Sequence, residues 1–190
     1  MRPAHTQQML ALAHFQRWRG RRPDLSLSLN ISKRQLFAPN FVAAMIADTT
    51  RHAIPPAAVI LEVTESVALM EVEFAEERLR QLVAAGFTLS IDDFGTGYAS
   101  LSQLHELPVG ELKIDISFVQ RVHARDGQRI LQAIVHLAKA LELRTVAEGV
   151  EDAATAATLA ELEVDVLQGY HFGRAVPAGE FEALPCFALP

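Results

Sequence analysis

Polar side chains that can bind a metal ion or a phosphate occur in, or directly after, six short apolar runs of the sequence. They are Asn30, Glu62, Asp92, Asp93, Lys113, Glu148 and Gln168. Taken singly, each such residue is typical of a turn or a solvated loop. Because α/β folds build their sites at the carboxyl ends of successive parallel strands, the recurrence over six runs predicts a functional site.

Two of these positions, Glu62 and Lys113, are the hardest to explain as ordinary surface residues. Glu62 lies within the apolar run AVILEV, and Lys113 is flanked by Leu112 and Ile114. Both faces of a parallel sheet are normally buried. A buried charge costs several kcal/mol unless it is paired or bound to a metal ion. The two residues therefore indicate either a metal site or a structural lysine–carboxylate pair inside a barrel.

The candidate metal ligands all offer oxygen atoms. They are Asn30, Glu62, Asp92, Asp93 and Glu148. Mg²⁺ and Mn²⁺ prefer oxygen ligands, and the seven histidines show no spacing typical of a zinc site. Four carboxylates are more than one Mg²⁺ normally takes from a protein, so the set predicts two metal ions that share a carboxylate. Two-metal sites commonly cleave phosphodiesters, and Lys113 would orient the water or neutralise charge on the phosphate.

Asp92 and Asp93 are adjacent in the sequence, and adjacent residues of a strand point to opposite faces of the sheet. We therefore expect the strand to end here and the chain to turn, so that both carboxylates reach the metal ions. Gly95 and Gly97 follow, and glycines permit both a turn and a mobile loop over the site.

The elements that must position these residues are six strands that alternate with helices. The strands, short apolar runs bounded by polar or turn residues, are predicted over Leu25–Ile31, Ala58–Val63, Phe87–Ile91, Glu111–Ile114, Arg144–Ala147 and Val164–Leu167. The helices, which show helical spacing of apolar residues, are predicted over Gln7–Trp18, Phe41–His52, Val72–Ala85, Gln128–Leu141 and Glu151–Leu162. This alternation implies a parallel sheet, either doubly wound or closed as a barrel.

The composition is that of one α/β domain. The 190 residues carry a net charge of −6, whereas binders of nucleic-acid polymers or membrane surfaces usually have a basic surplus. The single cysteine, Cys186, permits no internal disulfide, so we expect a cytoplasmic protein. No run approaches the ~18 apolar residues of a membrane span. The arginines between Arg17 and Arg22 are expected to form a solvated helix end rather than a site for an anionic partner.

Six segments, in this order and spacing, resemble the EAL family of cyclic di-GMP phosphodiesterases. They are NIS, LEVTES, IDDFGTGYASL, LKID, VAEGVE and LQGYHFG. The resemblance extends from about Gln7 to Phe181. It implies a modified TIM barrel that hydrolyses cyclic di-GMP to linear pGpG with two Mg²⁺ or Mn²⁺ ions, in bacterial second-messenger signalling.

The resemblance also implies a role for individual residues. The metal ligands would be Asn30, Glu62, Asp92, Asp93 and Glu148, with Asp92 as the bridge. Lys113 would contact the catalytic water and Asp115 would support it, while the general base would be either Glu148 or Lys113. The residues that line the site or anchor its DFGTGYAS loop, which in the family also shapes dimerisation, would be Glu151, Gln168 and Glu65.

The Glu-Ala-Leu motif that the family carries on an early strand, with a metal-binding Glu and a substrate-binding Arg soon after it, is missing from the start of the chain. We therefore expect one EAL-type domain over residues 1–190, a barrel with about six of its eight strands, in which residues 1–24 form a helix and a linker. Open strand edges tend to associate, so a homodimer or a partner domain is expected to cover them. Three hypotheses stay open: an active phosphodiesterase, a catalytically impaired module that binds cyclic di-GMP or a protein partner, and an incomplete fragment.

Overall fold

A computed structural model describes residues 3–68, 73–95, 101–184 and 187. Gly97 and Cys186, for which the sequence raised expectations, lie outside these residues. Within them, six parallel strands form one sheet in the order β1-β2-β3-β4-β5-β6. The strands are β1 (Leu27–Asn30), β2 (Val59–Thr64), β3 (Thr88–Phe94), β4 (Glu111–Ile114), β5 (Arg144–Ala147) and β6 (Val166–Leu167).

Helices connect the strands along the chain. They are α1 (Pro3–Arg19), α2 (Lys33–Leu36), α3 (Phe41–Arg51), α4 (Glu65–Ala68), α5 (Glu73–Ala84), α6 (Leu101–Glu106), α7 (Ile116–Val119), α8 (Arg125–Ala140), α9 (Ala153–Glu161) and α10 (Ala178–Phe181), with a 3₁₀ turn at Pro56–Ala58. In the part of the chain that the structure describes, no helix has the length and apolar character needed to cross a membrane.

The order of the strands decides between the two architectures that the sequence left open. A doubly wound sheet reverses its strand order at a switch point. Here each strand pairs in parallel with the strands that precede and follow it in the chain. Consecutive parallel pairing with intervening helices is the arrangement of a β/α barrel. The fold is therefore α/β, with six strands that form a curled, TIM-barrel-like half-barrel.

The predicted strands and longer helices are confirmed, with ends that differ by no more than four residues. The short helices α2, α4, α6, α7 and α10 were not predicted, because four to six residues show too little of the helical period. Local capping signals mark two of them. Ser32 and Gln35 form a reciprocal capping box at α2, and the Asp115 carboxylate accepts the Ser117 N–H at α7. The Ser-x-x-Gln spacing could have revealed α2.

The two faces of the sheet differ in chemistry. Leu61 of β2 and Leu112 of β4 are fully buried and share one hydrophobic core with Leu131 of α8. Because side chains alternate along a strand, Glu62 and Lys113 point to the opposite face. The apolar face therefore holds the helices in place, and the other face carries the polar residues.

The buried residues of α8 form a stripe along one face of the helix. Leu131, Ile134, Val135 and Ala138 are buried at the spacing of a single helical face. Ile130 of the same helix is 39% exposed, and Val83 of α5 is 37% exposed. Leu137, one position before Ala138, is half-buried and packs against the core, so exposure beside the stripe differs from residue to residue.

The two ends of the described chain are in contact. Arg17 of α1 and Arg21, which follows α1, both pair with Glu182, which follows α10. The ring of Trp18 lies 4.4 Å from the ring of Phe181, centroid to centroid. Arg17 and Arg21 are exposed, as expected for a solvated helix end, whereas Arg19 and Arg22 are half-buried. The two exposed arginines join the end of α1 to the C-terminal segment.

Because residue 169 is a glycine, the segment after β6 lies close to the backbone of Val150, which follows β5. A Cβ atom at Gly169 would lie 2.1 Å from the carbonyl oxygen of Val150, whereas one at Gly173 would meet nothing within 4 Å. We expect Gly169→Ala to lower the free energy of unfolding by about 1–3 kcal/mol, as overpacking does. Gly173→Ala, the matched control, should change it by less than about 0.5 kcal/mol. Urea denaturation of both variants tests this, and equal midpoints would contradict it.

Candidate active site

Lys113 is the centre of a cluster of charges on the polar face of the sheet. Its Nζ atom lies 2.7 Å from Oε1 of Glu148, 2.8 Å from Oδ1 of Asp92 and 3.3 Å from Oε2 of Glu62. Lys113 lies in β4 and Glu148 directly follows β5, while Asp92 and Glu62 lie in β3 and β2. The register of the four strands therefore brings the four side chains together. The Lys113 side chain is only 5% exposed and that of Glu62 is 7% exposed. The ammonium therefore has three carboxylate partners and little contact with water.

The neighbours of these groups change their pKa values. Burial lowers the pKa of Lys113, but the hydrogen bonds to Asp92 and Glu148, together with the charge of Glu62, outweigh burial and raise it above its ordinary value. Burial raises the pKa of Glu148, and Lys113 offsets part of that rise. Lys113 is thus held as a cation, which donates hydrogen bonds and has no lone pair to accept a proton.

Asp92 and Asp93 are brought to one site by an irregularity inside β3. The expectation that the strand ends before them is wrong, because β3 continues to Phe94. Its pairing with β4 shifts between Ile91 and Phe94, and Asp93 adopts a left-handed backbone with a φ of 56°. An extra residue in a strand turns the next side chain toward a new direction. The bulge, rather than a turn, therefore lets both carboxylates face the site.

Three carboxylates lie close enough to share a metal ion. Oxygen atoms of Asp92, Asp93 and Glu148 are all within 4.8 Å of one another. Burial and the charges of Asp92 and Asp115 raise the pKa of Asp93, which indicates excess negative charge at this point. With Glu62, four carboxylates against one ammonium leave a formal charge of −3. Such an all-oxygen, negatively charged set fits hard divalent cations.

The other predicted ligand and the two supporting residues are placed differently. Asn30 ends β1 and is the register neighbour of Glu62, with an exposed side chain. Asp115 caps α7 through the Ser117 N–H at 3.0 Å, a role that sequence reasoning did not assign. The buried Glu65 accepts a hydrogen bond from the backbone N–H of Gly95 at 2.9 Å. Glu65 is thus attached to the start of the segment that follows β3.

A cleft of about 310 Å³ opens beside Glu148. Its lining residues are Ile116, Glu148, Gly149, Glu151, Gln168, Gly169 and Tyr170. Glu151 and Gln168 therefore lie in the same cleft as Glu148. Sequence reasoning missed Tyr170, whose side chain is 59% exposed and is stacked by the Arg174 guanidinium at 4.2 Å. The LQGYHFG segment could have indicated this residue, because three aromatic side chains follow one another soon after the glutamine.

The sequence model of the family described as "EAL domain" matches residues 5–175. The chain belongs to the EAL domain family. Among curated relatives, this EAL domain is 41% identical over 165 residues to the bifunctional diguanylate cyclase/cyclic di-GMP phosphodiesterase MucR of Pseudomonas aeruginosa. It is 37% identical over 166 residues to the signaling protein YkoW of Bacillus subtilis. These matches cover 86% and 87% of the chain but only 24% and 21% of the relatives, so the chain spans about a quarter or less of their length.

Solved structures of EAL domains have the same fold. The cyclic di-GMP complex of the MucR phosphodiesterase superimposes with a TM-score of 0.86 at 39% identity, covering 91% of this chain and 71% of that one. The EAL domain of DcpA from Mycobacterium smegmatis gives a TM-score of 0.88 at 36% identity, covering 94% and 82%. Klebsiella pneumoniae BlrP1, solved as a calcium/cyclic di-GMP complex, gives 0.82 at 27% identity, covering 90% and 43%.

The tripeptide that gives the EAL domain its name occurs once in this sequence, at residues 182–184. It lies after α10 and not on an early strand. The Glu182 carboxylate pairs with Arg17 of α1 and with Arg21 just after α1, rather than with the cluster around Lys113. This copy of the tripeptide is therefore part of the contact between the two ends of the chain.

Proposed function

We propose that this EAL domain is a metal-dependent phosphodiesterase that hydrolyses cyclic di-GMP to linear pGpG. The observation that carries the proposal is the cluster of Asp92, Asp93 and Glu148, within 4.8 Å, around the Lys113 ammonium. The names of two relatives support cyclic di-GMP as the substrate, since MucR and NbdA of Pseudomonas aeruginosa are both called cyclic di-GMP phosphodiesterases.

Two Mg²⁺ or Mn²⁺ ions would be held by oxygen atoms of five residues. These are Asn30, Glu62, Asp92, Asp93 and Glu148, with Asp92 as the bridging ligand. A bound divalent pair supplies an activated water and charge stabilisation for the leaving oxygen. The all-oxygen donor set and the formal charge of −3 support this assignment.

Lys113 and Glu148 have different roles in the proposed reaction. The Lys113 ammonium already donates toward three carboxylates, so it acts as a fixed positive charge that orients the water and stabilises charge on the phosphate. Glu148 lines the open cleft and carries oxygen lone pairs, so it is the residue that accepts the proton of the water. Asp115 acts more indirectly, by fixing the start of α7 beside the site.

The cleft beside Glu148 would hold the nucleotide. Glu151 and Gln168 line it and offer hydrogen bonds to base and sugar, and the exposed ring of Tyr170 offers a surface for stacking. Glu65 would hold the DFGTGYAS segment through Gly95. The negative charge of the carboxylates would repel the phosphates unless divalent cations are bound, which supports metal dependence.

The direct test is hydrolysis of cyclic di-GMP by the purified chain in the presence of Mn²⁺, with chromatographic detection of pGpG. We expect product from the wild type, and a loss of about 10²–10⁴-fold in Glu148→Gln, because that change removes the proton acceptor. Glu161→Gln, an exposed glutamate at the end of α9, is the matched control and should keep full activity. A folded wild type that binds Mn²⁺ and yields no pGpG would contradict the proposal.

Absence of turnover with retained binding of cyclic di-GMP would favour the second candidate, a catalytically impaired module. The observation behind it is that Glu182-Ala183-Leu184 is the only Glu-Ala-Leu in the sequence and lies after α10. We also propose that a second copy or a partner domain covers the edge strands β1 and β6. A cytoplasmic location, expected from the single cysteine, belongs to the same proposal.

A further inference from the structure

A row of polar residues, which includes Glu62 of the charge cluster, crosses the sheet from β1 to β5. The register pairs Asn30 with Glu62, Glu62 with Ser90, Ser90 with Glu111, and Glu111 with Arg144. Register partners in neighbouring strands point to the same face, and residues two apart on one strand share that face. The row therefore lies on the polar face, directly beneath Asp92 and Lys113.

Ser90, in the middle of this row, has a buried hydroxyl group. The residue has no exposed surface, and its Oγ atom has no hydrogen-bond partner among the described residues. An unsatisfied buried hydroxyl costs about 1–3 kcal/mol. The hydroxyl of Thr145, buried equally deeply in β5, illustrates the usual situation because it bonds with Asp165 at 2.7 Å. None of the described residues therefore satisfies the Ser90 hydroxyl.

The two neighbours of Ser90 in the row are both carboxylates with further capacity to accept. Glu62 faces Lys113 through Oε2 at 3.3 Å, and Glu111 faces Arg144 through Oε2 at 3.6 Å. A carboxylate accepts up to about four hydrogen bonds. A buried water needs two to four polar partners, and a hydroxyl between two buried carboxylates supplies them. Glu62 and Glu111 are only 6% and 4% exposed, so bulk solvent does not compete.

We infer that Ser90 is a positioning residue for Glu62, and that it acts through a buried water that bridges its hydroxyl to the Glu62 carboxylate. Lys113 then fixes one oxygen of Glu62 and the water fixes the other. The expected effect on metal binding rests on the proposed function, because Glu62 is a proposed metal ligand. Removal of the bridge frees the carboxylate to rotate and weakens metal binding.

The experiment compares Ser90→Ala with Thr49→Ala. Thr49 is also fully buried, but its hydroxyl donates to the Met45 carbonyl within α3, away from the site. By isothermal titration calorimetry of Mn²⁺, we expect Ser90→Ala to raise the dissociation constant about tenfold, as loss of a supporting hydrogen bond at a metal site does. Thr49→Ala should leave it unchanged. Melting of the metal-free proteins should show a Tm lowered by about 2–4 °C in both variants.

The outcomes separate this inference from the proposed function. If the wild type binds no Mn²⁺, the proposed metal site is wrong. The melting comparison then still tests the water bridge. A Ser90→Ala variant with an unchanged or raised Tm overturns the bridge, because removal of an unsatisfied hydroxyl stabilises a protein. An unchanged dissociation constant for Mn²⁺ in Ser90→Ala overturns the positioning role of Ser90. A crystal structure of the wild type with ordered water within hydrogen-bond distance of both Ser90 Oγ and Glu62 supports the inference, and a dry site overturns it.

Discussion

Lys113→Met is expected to lower the free energy of unfolding of the metal-free protein by about 3–5 kcal/mol, as removal of one partner of a buried ion pair does. Methionine has a similar length and loses the ammonium. The variant leaves Glu62, Asp92 and Glu148 facing one another with their side chains at most 21% exposed. At about 2–4 °C per kcal/mol for a chain of this size, the Tm should fall by roughly 6–20 °C. Differential scanning calorimetry measures it.

Lys139→Met is the matched control for this change. Lys139 pairs with Glu163 on the surface, where both side chains are more than 40% exposed. Exposed pairs contribute about 0–1 kcal/mol, so this variant should melt close to the wild type. Added Mn²⁺ should recover part of the loss in Lys113→Met, because a cation again balances the carboxylates. Similar Tm values for the two methionine variants would mean that Lys113 does not hold the cluster together.

Asp92→Asn should reduce kcat/KM for cyclic di-GMP by about 10³-fold under the proposed function. Asparagine keeps the shape and an oxygen that can accept from Lys113, which bonds to Asp92 at 2.8 Å. It loses the charge that would be shared between two cations. A loss of about 4 kcal/mol in charge stabilisation corresponds to this factor. Steady-state kinetics at several Mn²⁺ concentrations measures the change.

Two controls accompany the Asp92 variant: a remote substitution and a test that the variant is folded. Asp126→Asn alters an exposed carboxylate that pairs with Arg121, and its kinetics should match the wild type. Circular dichroism should show that Asp92→Asn remains folded. If Asp92→Asn keeps more than about a tenth of the wild-type kcat/KM at saturating Mn²⁺, Asp92 is not the bridging ligand.

The sequence was sufficient to predict that Asp92, Lys113 and Glu148 lie together. Parallel strands present their carboxyl ends at one edge of the sheet, so the assignment of each strand also places the residue that ends it. The family resemblance added Glu65 and Glu151, which no local pattern singles out. The order of strands could not be deduced from alternation alone, and the structure decided it in favour of the barrel.

The features that the sequence did not reveal depend on register and close contact. The bulge at Asp93 requires a left-handed backbone at a residue that is not glycine, and a pair of adjacent aspartates does not predict such a backbone. The position of Ser90 between Glu62 and Glu111 follows from strand pairing, which no single segment encodes. The need for glycine at 169 arises from Val150, nineteen positions earlier in the chain.

The contact of Trp18 with Phe181 gives this protein a natural optical reporter. Trp18 is the single tryptophan of the sequence, so intrinsic emission follows the environment of that one ring. The two rings belong to opposite ends of the chain, and bringing distant segments together is entropically costly and slow. Fluorescence therefore times the closure between the ends, whereas far-ultraviolet dichroism follows the helices. A difference between the two signals during refolding would show whether this closure precedes or follows formation of the helices.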